Sequence, residues 1–190
     1  MRPALLAVAL FASAAGAQSF VVEGSCRDGR PHGAYELRGP GGEVRVVGAF
    51  NRGKRTGSFL FWSSSGSRVA QLPYEDDALS GTLALWYPNP DRSGNPKPRL
   101  EAVYAGGRLS GIKRSWYPNG RVRAEFRYER ETLVDARAFS ESGKPLPETE
   151  ARAIAVRDLL SDQKLYASLD AIVRANLPRC DPASDRLEKG

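Results

Sequence analysis

Between Gly24 and Gly143 the apolar and polar positions alternate with a period of two, in short runs separated by turns rich in glycine, proline and asparagine. That is the pattern of half-buried strands. Val46, Gly48 and Phe50 share one parity, as do Ala70, Leu72 and Tyr74, then Leu100, Ala102 and Tyr104, then Ala124, Phe126 and Tyr128. The opposite parity holds Gln71, Arg99, Glu101, Arg123, Glu125 and Arg127. The intervening runs behave differently, because both of their parities are apolar. Leu60 and Trp62, or Ala84 and Trp86, face one way, while Phe59 and Phe61, or Leu83 and Leu85, face the other. With Tyr35 and Leu37, the second set forms an apolar patch that stops where Lys113 and Ser115 take the same places. Such a patch needs a cover.

The runs repeat. Gly33, Gly57 and Gly81 lie 24 residues apart and Gly111 follows 30 later. Five residues beyond each come Arg38, Trp62, Trp86 and Trp116, then Gly42, Gly66, Pro90 and Gly120, and each unit closes on Phe50, Tyr74, Tyr104 or Tyr128. The tryptophans and the closing aromatics are expected to form the repeat core. The extra residues of the third unit all fall in the Pro88–Pro98 stretch, opposite Pro118-Asn119-Gly120 of the fourth. Each unit reads as strand, tight turn, strand, and Asn119-Gly120 predicts a type I′ turn with positive φ at both positions. A fifth, degraded unit runs from Val134 through Phe139 to Gly143.

After Pro147 the pattern changes. From Glu148 to Leu177 there is no glycine or proline, and Leu165, Leu169, Ile172, Val173 and Leu177 fall at helical spacing. Two amphipathic helices are expected, or one broken near Ser161, where Ser161 and Asp162 suit a helix start. Pro178 ends the segment. Folded back on the sheet, it would cover the patch on Tyr35, Leu37, Phe59, Phe61, Leu83 and Leu85. The expected fold is therefore mainly β: an elongated single-layer antiparallel sheet of hairpin repeats with a C-terminal helical segment packed back on one face. About 28 helical residues span roughly 42 Å, enough to return from the last unit to the first. That path would bring Cys180 to Cys26, the chain's two cysteines, and predicts a disulfide between them.

The N-terminus adds a compartment. Met1-Arg2-Pro3, the apolar run Ala4–Ala15 and Ala15-Gly16-Ala17 read as a signal peptide cut after Ala17. The segments expected are a signal peptide over 1–17, repeats over 18–144 in four to five units, a helical segment over 145–178 and a tail over 179–190. The expected location is the periplasm or the exterior. The other apolar runs are too short to span a bilayer. One histidine and two cysteines without Cys-x-x-Cys make a zinc site improbable, and no metal or cofactor is expected.

The motif Gly111, Trp116, Tyr117, Pro118, Asn119, Gly120, Tyr128 resembles the MORN repeat, and more closely the bacterial variant found in antitoxin and immunity components. Pro31-His32-Gly33 and Leu109-Ser110-Gly111 resemble its inter-hairpin linkers. The resemblance covers about residues 24–143, with Arg38 where the tryptophan of unit one would stand. It implies an elongated single-layer sheet and protein–protein contacts, dimerisation or lipid binding, and it carries over no catalytic residue.

Two features could serve binding. Between Arg108 and Arg130 lie seven basic residues (Arg108, Lys113, Arg114, Arg121, Arg123, Arg127 and Arg130) against Glu125 and Glu129, in a chain of net charge +6; such a stretch could grip an anionic glycan or lipid. The long turn, with Asp91, Arg92 and Lys97, is the other, since prolines limit the entropy lost on binding. A single His32, in a linker, argues against a nucleophilic triad. Asp76 and Asp77 are adjacent linker acids, and Gly106-Gly107 is followed by no phosphate-loop Lys-Ser/Thr. The expectation is a non-enzymatic interaction scaffold with a protein partner, the rival being the anionic glycan or lipid binder; a nucleic-acid partner is not expected. Intact-mass analysis of protein secreted by a bacterial host should find a chain beginning at Gln18; full-length protein confined to the cytosol would refute the export reading.

Overall fold

The computed structural model describes residues 19–88 and 96–181. The expected signal peptide, the turn residues Asp91 and Arg92, and most of the expected tail lie outside them. The strands are β1 (Val21–Arg27), β2 (Arg30–Arg38), β3 (Val44–Asn51), β4 (Lys54–Trp62), β5 (Arg68–Glu75), β6 (Ala78–Leu79), β7 (Gly81–Trp86), β8 (Pro98–Ala105), β9 (Arg108–Trp116), β10 (Val122–Glu129) and β11 (Thr132–Ala138). They form one open, 11-stranded antiparallel sheet in sequence order, with the two-residue β6 paired to β5 beside β7. One helix, α1 (Glu148–Ala175), follows.

The repeat frame is written in backbone angles. Asp28-Gly29, Arg52-Gly53, Asp76-Asp77, Gly106-Gly107 and Arg130-Glu131 all have positive φ at both residues. These inter-unit links are the type I′ turns. Asn119-Gly120 departs from the expectation: of the two, only Gly120 has positive φ (85°), and the turn closes through Gly120 N–H to Tyr117 O and Tyr117 N–H to Arg121 O. The same wiring recurs at Gly42, Gly66 and Gly143. It is the longer hairpin with a left-handed glycine at its end. Gly57 shows why the repeat glycines are glycines: a Cβ there would meet nothing within 4 Å, but its φ is +67°, so conformation and not space excludes a side chain. The fifth unit is β11, the Gly143 turn, and a return strand reduced to the Phe139–Pro145 bridge. At the other end β1 is a strand ahead of the first recognised repeat glycine.

The two apolar patterns of the sequence lie on one face of the sheet. Tyr35, Leu37, Phe59, Phe61, Leu83 and Leu85 are buried together with Val46, Phe50, Leu72 and Tyr74. The helix covers that face. It is a single 28-residue helix with no break at Ser161. Nothing in the segment breaks helical geometry, and Asp162 points inward from mid-helix instead of capping a second helix. Near β11 small residues meet small residues: Ala151 and Ala155 pack with Ala124, Ala136 and Ala138. At the far end Leu169 and Val173 meet the aromatic cluster, Tyr35 Oη donates to Asn176 O at 2.9 Å, and Cys180 is bonded to Cys26 of β1 with Cα atoms 5.5 Å apart.

The expected core needs one correction. Phe50, Tyr74 and Tyr128 are buried under the helix and Tyr104 is partly so, but Trp62, Trp86 and Trp116 are half-buried on the opposite face. Each follows a buried residue of the covered face by one position, so strand alternation turns it outward. The aromatic cluster itself is edge-to-face: Phe50–Phe59 and Phe59–Tyr74 both have centroids 5.5 Å apart. Gly48 makes room for it, because a Cβ at that position would lie 2.6 Å from the Phe59 ring. Gly48→Ala should therefore destabilise by ~1–3 kcal/mol through overpacking, read as a lowered midpoint in urea; an unchanged midpoint would show that the ring can move aside.

Candidate functional site

The helix meets the sheet through acids as well as through apolar side chains. Lys113 Nζ, 2% exposed as a side chain, pairs with Asp162 at 2.5 Å. Arg123 holds Asp158 in a fork, at 2.5 and 3.0 Å. Arg55 lies 4.1 Å from the Tyr74 ring centroid, donates Nε–H to Asp77 Oδ1 at 2.8 Å and reaches Asp170. Burial pushes the Asp162 carboxyl up against the attraction of Lys113. Burial would also raise Asp77, but its hydrogen bonds from Arg55 outweigh that and hold it below the ordinary carboxylate range. The hydrogen bond to Asp158 raises Arg123. Three sheet cations thus lock three helix acids on the covered face.

This divides the basic stretch. Lys113 is buried and Arg123 half-buried, and both are committed to the helix; Arg123, expected on the face of Glu125 and Arg127, sits in the register shift between Val122 and Ala124. Arg114 pairs with Glu125 on the other face, and Arg121 donates to the Ser142 carbonyl at 2.6 Å. Arg108 and Arg127 are exposed without an ion pair among the described residues. From the long turn, Lys97 Nζ donates to Pro118 O at 3.1 Å. The stretch is therefore no single cationic surface. Its matching signal was in the helix, where Asp158 and Asp162, one turn apart, face Arg123 and Lys113. His32, expected in a linker, lies near the start of β2, its Nδ1 accepting from Arg52 N–H at 3.3 Å. Among the described residues no cluster of His, Cys, Asp and Glu could hold a metal ion, and no helix is long and apolar enough to cross a membrane.

The uncovered face has its own order. The register aligns Glu36, Val47, Leu60, Gln71, Ala84, Glu101, Arg114, Glu125 and Arg137 in one row across the strands from β2 to β11. Past Ala84 the row alternates in sign, so neighbours neutralise each other. Its middle, Val47 to Ala84, is uncharged and half-buried. Trp62 and Trp86 stand two positions further along the strands that carry Leu60 and Ala84, and the Arg68 guanidinium lies 4.3 Å from the Trp86 ring centroid. The uncovered face thus carries an apolar centre with tryptophan and arginine beside it and a charged flank. Comparison of the chain with protein-family models matched none of them, and comparison with curated proteins also found no match.

The buried pair gives a sharp test of the covered face. Lys113→Met leaves Asp162 buried without its partner and should cost ~3–5 kcal/mol, whereas Lys113→Met with Asp162→Leu should be near neutral. Equal losses in the single and double variants, measured by urea denaturation, would show that the pair does not form.

Proposed function

We propose that this protein is an exported, non-enzymatic scaffold that binds a protein partner on the uncovered face of its sheet. The helix and disulfide occupy the other face, so recognition falls to the uncovered one. The observation that carries the reading is the uncharged strip from Val47 to Ala84 with Trp62, Trp86 and Arg68 beside it, flanked by Glu101, Arg114 and Glu125. An apolar centre rich in tryptophan and arginine within a charged rim is the anatomy of protein interfaces. A Cys26–Cys180 bond suits an oxidising compartment and so agrees with the export signal read from the N-terminus. The repeat frame agrees with membership of the MORN-like proteins, and an immunity-type role rests on that resemblance. The anionic glycan or lipid reading is the weaker, since Lys113 and Arg123 serve the helix and Arg114 serves Glu125.

Immobilised mature protein should retain a protein partner from envelope extract through a wash in high salt, which screens exposed charge. Leu60→Lys combined with Ala84→Glu should abolish that retention at an unchanged melting temperature. Leu160→Lys, on the outer face of the helix, should leave it intact. Loss of the ligand in salt, or retention by the Leu60/Ala84 variant, would refute the assignment of this face.

A further inference from the structure

The repeat frame puts Arg55, Tyr74 and Asp77 in places that recur as Leu79, Tyr104 and Gly107, and again as Leu109, Tyr128 and Glu131. One backbone bond marks the equivalence: Asp77 N–H donates to Arg55 O, Gly107 N–H to Leu79 O and Glu131 N–H to Leu109 O, at 3.1, 2.8 and 2.8 Å. In the first set a cation is built in. The Arg55 guanidinium rests on the Tyr74 ring, between Asp77 and Asp170. In the two later sets leucine replaces the arginine, while both tyrosines remain and the last set supplies a carboxylate. The space so left is a cavity of about 240 Å³ between sheet and helix.

It is lined by Tyr104, Tyr128 and the helix residues Tyr166, Leu159 and Gln163, with Leu79, Leu109 and the exposed Glu131. The Tyr104 and Tyr166 rings meet at 81° with centroids 6.3 Å apart, giving two walls near a right angle. Burial pushes the Tyr104 hydroxyl up to about 12 and Tyr166 higher still, so the phenols stay neutral. The Glu131 side chain makes no hydrogen bond or ion pair among the described residues. Glu131 also sits at φ +70°; of the matching turn positions, Gly29, Gly53 and Gly107 are glycine and Asp77, at φ +72°, carries a side chain that binds Arg55. A side chain is retained there against its backbone preference.

We propose that this cavity binds an organic cation of the quaternary-ammonium class, seated against the three tyrosine rings and balanced by Glu131. A ring face attracts a cation through its quadrupole without needing a hydrogen bond. The leucines suit methyl groups. Arg55 lies between two carboxylates, Asp77 and Asp170, whereas this cavity offers one, Glu131, with the Gln163 amide and the phenols as its neutral acceptors, so the rings and leucines carry more of the contact. A free trimethylammonium compound and the head group of a choline lipid share this chemistry. The site lies on the covered face, so it stands or falls separately from the protein-binding reading of the other face.

The test is calorimetric titration of the full mature chain with choline and with 3,3-dimethylbutan-1-ol, its uncharged carbon isostere, beside co-sedimentation with phosphatidylcholine vesicles. Choline should bind about tenfold or more tighter than the isostere, and Glu131→Gln should weaken choline several-fold. Leu109→Arg, which restores the side chain found at Arg55, should abolish choline binding with the melting temperature kept or raised. Should that variant not fold, Tyr104→Leu must weaken choline and spare the isostere. Vesicle binding that choline competes away identifies the lipid head group as the source, and choline binding without it identifies a free ligand; both support the site. Equal binding of choline and isostere, absence of saturable choline binding to folded protein, or undiminished binding by folded Leu109→Arg would overturn it.

Discussion

A sheet one layer thick must find a cover for its apolar face, and every other feature of this chain follows from how that cover is supplied. Among the described residues there is no second sheet to pack against. The chain instead returns a single helix along the face it has just built. Aromatic side chains fill the gap beneath the end of the helix near the first units, and alanines let the backbones approach near the last. At the polar interruption between them, where Lys113 and Ser115 replace apolar residues, Lys113 is met by Asp162, and Ser115 accepts from Arg123, which holds Asp158 of the helix. Apolar contact gives the helix its affinity for the face. The buried ion pairs set its register, since sliding it by one turn would strand charges out of water.

The disulfide closes this arrangement between β1 and the segment that follows the helix. Cys26 lies in an edge strand, and Cys180 lies past the end of the helix, 154 residues away in sequence. On loop-closure entropy such a bond stabilises by about 5 kcal/mol. It also ties down β1, the edge strand among the described residues. Covering one face in this way leaves the other uncovered. There the charges are arranged in neutralising rows, and only the middle is left uncharged.

Much of this was legible in the sequence. Repeat spacing located the hairpins, parity separated the faces, and helical length together with two cysteines implied the return path. The failures have physical causes. The helix covers the Phe59 and Phe61 patch as expected, but the recurrence of Trp62, Trp86 and Trp116 at equivalent places also put them in the core, whereas their opposite parity leaves them on the uncovered face. The Asn119-Gly120 pair is compatible with two hairpin turns, and only the backbone hydrogen bonds decide between them. Ser161 and Asp162 have the chemistry of a helix start, yet the long-range pairing of Asp162 with Lys113 outweighs that local preference. The basic stretch looked like one surface because sequence is one-dimensional; on alternating strands its members part to both sides. The cavity beside Tyr104 could have been inferred from the substitution of Arg55 by leucine in the later units, but only once the role of Arg55 was visible.

The central claim is that helix and sheet form one cooperative unit and not a sheet with a detachable appendage. Native-state hydrogen exchange on the oxidised chain tests it most directly. Slowly exchanging amides of α1 between Ala151 and Val173 should open with the same free energy and the same denaturant dependence as those of β4 and β9, the signature of global unfolding. Helix amides that exchange through a lower-energy opening while the strand amides stay protected would contradict the account.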